Sequence, residues 1–252
     1  MTAHSNGVVA VLLAAGKGTR MKSATPKILH RIGGMPMVTR ILAVARSVAE
    51  RSVVVVAPGA DAVRTALGDA RRVGTLGFAE QTQQRGTGDA LRAALPELGD
   101  AERVLVLCGD VPLLSAATLE RFLSAVPGDA LGIVTVHVPD PEGLGRILRD
   151  ASGAVVRIVE EKDASEVERR ITEINAAIYV LPGHRVRGWL QRLDAGNAQG
   201  EYYLTDVVAL AVQDGVPVVA MDAGDPDEVA GVNDRVQLAR LERVLQRRQA
   251  EA

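Results

Sequence analysis

The sequence predicts an α/β protein: a doubly wound sheet followed by one terminal helix. Three observations carry that prediction. Short β-branched runs alternate with helically spaced apolar residues through the first half, a glycine-rich turn follows the first run directly, and an amphipathic stretch free of Gly and Pro closes the chain. Residues 8–13, 53–56, 104–107 and 132–136 are apolar runs of the kind that strands buried in a parallel sheet require. Between them, residues 37–48, 60–67, 87–95 and 118–125 carry apolar residues at helical spacing. That alternation implies right-handed crossovers in a doubly wound sheet.

After Pro139 the rhythm changes. Residues 146–149 and 155–160 flank Ala151-Ser152-Gly153 and predict a hairpin. Residues 174–181 and 216–221 predict later strands, and residues 186–193 and 205–213 predict helices. Residues 232–249 place Val232, Val236, Ala239, Val244 and Leu245 along one side of a terminal helix. The expected division is 1–231 for the body and 232–252 for the helical arm.

With 252 residues the chain can bury a sizeable core. Its 29 basic and 31 acidic side chains leave a net charge of −2, which argues against a general nucleic-acid or membrane-surface binder. The N-terminal segment lacks a basic region, and no run approaches the roughly 18 apolar residues of a membrane span, so the expected compartment is the cytoplasm. One cysteine, Cys108, excludes an intrachain disulfide and fits a reducing environment. His4, His30, His137 and His184 show no zinc-ligand spacing. Only four of the 29 basic residues are lysines, yet Lys17, Lys22 and Lys27 fall within eleven positions. Where arginine is the default cation, such clustering points to a need for compact ammonium groups.

These lysines follow the first strand. The run Ala14-Ala15-Gly16-Lys17-Gly18-Thr19-Arg20 leaves the strand's carboxyl end, where open α/β sheets bind their ligands. Small residues let a phosphate approach the backbone N–H groups, and Lys17, Arg20, Lys22 and Lys27 supply cations suited to a polyphosphate. The spacing matches neither a Walker A loop nor G-x-G-x-x-G. Asp110 directly follows the strand at 104–107, putting a carboxylate at the same sheet edge, where it suits either Mg²⁺ or a turn ahead of Pro112. Asn233 suits either a ligand or a cap of the last helix.

The run L-x-x-G-x-G-T-R-M followed by Pro26-Lys27 resembles the signature of the sugar-1-phosphate nucleotidylyltransferases. More narrowly, the chain resembles the uridylyltransferase half of the bifunctional N-acetylglucosamine-1-phosphate uridylyltransferase/glucosamine-1-phosphate acetyltransferases. The likeness includes Gly86-Thr87-Gly88, Gly109-Asp110-Val111-Pro112, Gly145-Arg146-Ile147, Glu173-Ile174-Asn175, the stretch Asn197 to Tyr203, and Gly231 to Arg235, all in order. It implies a Rossmann-like mixed sheet of the nucleotide-diphospho-sugar transferase type. It also implies Mg²⁺-dependent transfer from UTP to N-acetylglucosamine 1-phosphate, a step in making peptidoglycan precursors. Catalysis then needs charge neutralisation and positioning more than a covalent intermediate. Arg20 and Lys27 become phosphate contacts and catalytic groups, and Asp110 and Asn233 the metal ligands. Leu13, Ala14, Ala15, Gly16, Gln81, Gly86 and Thr87 become nucleotide contacts. Cys108, Gly109, Gly145, Glu160 and Asn175 complete the substrate set, the last three on the sugar. An amide such as Gln81 can both donate and accept, which suits the edge of uracil.

The chain also departs from the pattern. Cys108 stands where the family commonly has tyrosine, Asp89 where histidine is frequent, and Ala176-Ala177 where a small polar residue and glycine are usual. These substitutions leave open another sugar 1-phosphate as acceptor, or a catalytically silent nucleotide-sugar binder. The hexapeptide repeats of the family's trimer-forming left-handed β-helix are not found in this sequence, so acetyltransferase activity is not expected and oligomeric state is left open.

Overall fold

The computed structural model describes residues 5–68 and 76–251; His4 and Ala252 lie outside them. In chain order the elements are β1 (Ser5–Leu13), a small hairpin β2 (Arg31–Ile32) and β3 (Met35–Pro36), α1 (Met37–Val48), β4 (Ala49–Val56), α2 (Asp61–Ala66) and β5 (Leu76–Glu80). There follow α3 (Thr87–Leu98), β6 (Arg103–Cys108), α4 (Ala116–Ala125), β7 (Leu131–His137), β8 (Arg146–Arg149), β9 (Val155–Val159) and β10 (Glu173–Pro182). Helices α5 (Gly183–Arg192) and α6 (Asp206–Gln213), strand β11 (Val218–Asp222) and helix α7 (Arg235–Glu251) complete the chain.

The main sheet runs β11-β7-β10-β6-β1-β4-β5, and β8 attaches to β10 and carries β9. Strand β1 is parallel to both β4 and β6, while β10 is antiparallel to β6 and β7. The sheet is therefore mixed through a single reversed strand in its main path. Chain direction explains this: β10 returns from the β8–β9 hairpin rather than from a crossover helix.

Period-two alternation divides the core. Val8, Ala10 and Leu12 of β1 pack with α1 and α4 on one face; Val9 and Val11 pack with α3, α5 and α6 on the other. Being buried on both sides, β1 needs an unbroken apolar run, and its sequence supplies one. Strand β5, whose Leu76, Gly77 and Phe78 are half-buried, escapes the run-based reading because an edge strand needs no such run.

Two helices differ from expectation. Helix α3 continues through Pro96 to Leu98, the proline forfeiting one hydrogen bond in the last turn. Helix α7 begins at Arg235, so Val232 precedes it. Its buried face is set by Leu241, Val244 and Leu245, which pack with Met21, Ile32, Met37, Leu113 and Val232. Those three residues are spaced i, i+3 and i+4, which puts Val236 outside the stripe at 79% exposure.

Candidate active site

The carboxyl ends of β1 and β6 meet where Gly109 N–H donates to the Leu13 carbonyl at 2.9 Å. Ala14 and Ala15 are buried, Gly16 and Lys17 exposed. Gly18 has φ +60°, and a Cβ there would lie 2.5 Å from the Lys27 Cβ. Only glycine fits, and the close approach folds the loop so that Lys27, in a one-turn 3-10 helix at Lys27–Leu29, returns to the sheet edge. There its ammonium forms an ion pair with Asp110 Oδ2 and donates to Asn233 Oδ1 at 3.2 Å.

Asn233 is available for this because it does not cap α7. Asp234 Oδ1 accepts from Gln237 N–H at 2.8 Å, while Gln237 Oε1 accepts from the Asn233 N–H at 2.7 Å. The Val232 N–H bonds the Asp110 carbonyl at 2.9 Å and ties this segment to the end of β6. Two oxygen donors far apart in sequence thus converge on one cation. A carboxylate and an amide oxygen are hard donors, and the pair fits Mg²⁺, which takes one or two protein ligands together with phosphates.

A cavity of about 400 Å³ beside this cluster is lined by Leu13, Ala15, Gly16, Gln81, Gly86 and Thr87, with Cys108 and Asp110 at one end. Gln81 is buried. Its Nε2 donates to the Gly86 carbonyl at 3.0 Å and to Asp89 Oδ2 at 3.1 Å. Both amide hydrogens are spent inside the protein, so this side chain has only its oxygen to offer and does not also donate, as the sequence reading expected.

The loop bearing Gly86 is held by the stretch around Tyr202. Tyr202 N–H donates to the Arg85 carbonyl at 2.7 Å, Gly88 N–H to the Tyr202 carbonyl at 2.8 Å, and Leu204 N–H to Thr87 Oγ1 at 3.0 Å. Gly86 has φ +105°, and a Cβ would sit 2.6 Å from the Tyr202 carbonyl oxygen. Gln84 Nε2 donates to the Ala15 carbonyl and joins the two loops.

On the other side of Cys108 lies a cleft of about 660 Å³, with Asp110, Asn175, Ala177 and Asn233 among its walls. A small recess of about 60 Å³ opens between Cys108, Glu160, Asn175, Tyr179 and Thr205. Thr205 Oγ1 donates to Glu160 Oε1 at 3.0 Å. Burial, despite that hydrogen bond, raises the Glu160 carboxyl above its ordinary pKa, and the nearby carboxylates of Asp206, Asp163 and Glu201 add to the effect. Asn175 Nδ2 donates to the Tyr179 hydroxyl at 2.6 Å, and its Oδ1 accepts the Ala177 N–H at 3.0 Å. A Cβ on Gly145 would lie 3.6 Å from Glu160 Oε2 and 3.7 Å from the Asn175 Cβ, so these three residues share one wall. Burial pushes the Cys108 thiol up to about 12, which leaves it a weak donor to the Ala177 carbonyl rather than a nucleophile.

The structure therefore gathers Lys27, Asp110 and Asn233 at the centre. Gln81, Gly86 and Thr87 lie on one flank, and Gly145, Glu160 and Asn175 on the other. Arg20 is the exception: it is exposed, lines none of these cavities and makes no hydrogen bond among the described residues. Asp89, Tyr179 and Thr205 orient other side chains and Gln84 ties one loop to another through the Ala15 carbonyl, roles that no spacing in the sequence signals. A groove of about 1020 Å³ along Arg235, Val236 and Arg243 of α7 carries no carboxylate and lies outside this constellation.

Fold and site together define a Rossmann-like protein with a cation-bearing cleft at the carboxyl edge of its sheet. Residues 10–170 match the MobA-like NTP transferase domain, and the chain belongs to that family. It is 52% identical over 242 residues to the Bifunctional protein GlmU of Alkalilimnicola ehrlichii, which covers 96% of this chain and 51% of the relative. It is 54% identical over 243 residues to the Bifunctional protein GlmU of Acidithiobacillus ferrooxidans, covering 96% and 52%. The chain thus spans about half the length of these relatives. A solved structure described as a putative glucose-1-phosphate thymidylyltransferase from Bacillus anthracis superposes with a TM-score of 0.74 over 94% of both chains; at 19% identity the likeness is one of fold.

Proposed function

We propose that the chain is an Mg²⁺-dependent nucleotidyltransferase that makes UDP-N-acetylglucosamine and pyrophosphate from UTP and N-acetylglucosamine 1-phosphate. The observation that carries this reading is the convergence of Lys27, Asp110 and Asn233 where Asp110 lines both the cavity that holds Gln81 and the cleft that holds Asn175, with the small recess at Glu160 opening between Asn175 and Cys108. A donor substrate and an acceptor entering from opposite sides would meet where this cluster concentrates charged and metal-competent groups.

The acceptor's phosphate oxygen forms the new bond to the α-phosphorus in line, and the bond to the bridging oxygen of the β-phosphate breaks, pyrophosphate leaving with the electron pair. Lys27 neutralises charge gathering on the transferring phosphoryl group. Gly16 and its neighbours let phosphates approach the backbone, and Arg20, exposed on the same loop, would have to swing inward to join them. Glu160 accepts from sugar hydroxyls while Thr205 holds it in place, and Asn175, with one Nδ2 hydrogen committed to Tyr179, has the other to give. A bound Mg²⁺, held by Asp110 and Asn233, would supply Lewis-acid stabilisation of phosphoryl charge. Among the described residues no helix is long and apolar enough to cross a membrane.

The test is pyrophosphate release from a panel of nucleoside triphosphates and sugar 1-phosphates with Mg²⁺. UTP with N-acetylglucosamine 1-phosphate is expected to be the best pair. A clear preference for another acceptor would transfer the assignment to that sugar, and absence of turnover with every pair would refute it.

A further inference from the structure

The orientation of the Gln81 amide decides what its cavity can read, and Asp89 decides that orientation together with the Gly86 carbonyl. Gln81 Nε2 has two hydrogens and two partners, Gly86 O at 3.0 Å and Asp89 Oδ2 at 3.1 Å. A carbonyl and a carboxylate only accept, so the nitrogen must face them and the oxygen must face away. That oxygen accepts no hydrogen bond from the described residues and is not among the buried orphan atoms. Gly86 lines the same cavity, and its N–H donates to nothing among the described residues. The wall therefore offers an acceptor beside a donor.

Asp89 is not an incidental neighbour. It is buried at the start of α3, and its Oδ1 is claimed by Arg85 at 2.9 Å, with Arg92 at 3.8 Å. The two guanidiniums lie over the Tyr202 ring, at 5.4 and 4.6 Å from its centroid, which braces them against the segment holding the Gly86 loop. The arginines engage Oδ1 and hold the carboxylate turned, so Oδ2 is left to Gln81.

We infer that Asp89 is a positioning residue for base specificity: by locking the Gln81 amide it selects a base with a ring N–H donor beside a carbonyl acceptor, and rejects one with those roles reversed. The inference rests on the reading of this cleft as the nucleotide site. The imide edge of uracil, N3–H beside O4, complements the acceptor–donor wall. Cytosine presents an N3 acceptor beside an N4 amino donor and meets like against like on both counts. A site that leaves polar groups unpaired discriminates strongly against the wrong ligand.

The test is the ratio of kcat/KM for UTP over CTP, with binding of UDP and CDP measured by calorimetry, in the parent and in Asp89→Asn. In that variant the arginines attract the new oxygen and turn the amide nitrogen toward Gln81, favouring a reversed Gln81 amide. The UTP-over-CTP ratio is expected to fall at least tenfold, while KM for the sugar phosphate stays within about twofold. Asp89→Ala, which leaves the Gly86 carbonyl as the amide's remaining partner, is expected to lower the ratio in the same direction should the first variant unfold. A folded variant that loses rate equally with both nucleotides and keeps the parental ratio would overturn the inference. Because UDP and CDP binding is read without turnover, a parent that binds UDP selectively yet transfers nothing would refute the proposed reaction while leaving Asp89 testable.

Discussion

Replacing Lys27 by methionine isolates the centre of the site. The stem keeps its length and its packing against Gly18, while the ammonium shared by Asp110 and Asn233 disappears. The two side chains of the ion pair are 13% and 19% exposed, between the surface regime and a dry interior. Surface pairs contribute about 0–1 kcal/mol, and removal of one partner from a buried pair costs about 3–5 kcal/mol, so a loss of about 2 kcal/mol is expected here. For a chain of this size that corresponds to a fall in Tm of about 4–8 °C. If Mg²⁺ and the ammonium compete for the same oxygens, the variant should bind the ion more tightly, by up to about 30-fold for the same 2 kcal/mol. Thermal unfolding with and without Mg²⁺ reads both effects: a lower Tm without the ion and a larger rise on adding it. A variant that is destabilised but responds to Mg²⁺ no more than the parent would refute a shared set of oxygens.

Asp110→Asn keeps volume but removes the carboxylate proposed to hold the ion; turnover should drop at least about 100-fold in a pyrophosphate-release assay, with Tm changing by only a few degrees. Gly86→Ala places a Cβ 2.6 Å from the Tyr202 carbonyl at φ +105°, so urea unfolding should show a loss of about 1–3 kcal/mol, with a raised KM for the nucleotide. Asp206, half-buried and facing Asp194 and Asp163, has its carboxyl raised to about 6, desolvation being the larger cause. The folded state thus prefers the protonated form, and ionisation costs stability as pH rises from about 4 through 6. Asp206→Asn should accordingly be more stable than the parent at pH 8 by about 1 kcal/mol, a value reduced for solvent screening, with the gap closing toward pH 4 in a series of thermal melts.

The parts of the fold buried on both sides were legible in the sequence. Val53 to Val56 and Val104 to Leu107 admit hardly any other reading, because a strand enclosed by two helical layers must be apolar throughout. The edge strand β5 was not, since it interrupts its apolar residues with Gly77 and ends on the exposed Glu80, whereas the opposite edge, β11 at Val218–Asp222, carries enough apolar residues to be read to within two positions. The terminal helix was legible in existence but not in phase: Val232 belonged to the loop, and Leu241 rather than Val236 set the buried stripe. In the site, the glycine turn and Asp110 follow from strand ends, which is local information. The meeting of Lys27 with Asn233, 206 positions away, depends on how α7 docks. Which end of the Gln81 amide faces the cavity likewise depends on Asp89, whose place in the first turn of α3 looks like ordinary helix-start chemistry.

The Gln81 flank, the Lys27 cluster and the Glu160–Asn175 wall are expected to bind one extended molecule. A crystal structure with UDP-N-acetylglucosamine and Mg²⁺ tests this most directly. The expected result is the uracil against Gln81 and Gly86, the diphosphate beside Lys27 with the ion on Asp110 and Asn233, and the sugar against Gly145, Glu160 and Asn175. A sugar bound away from that wall, or a base lodged outside the Gln81 cavity, would contradict it.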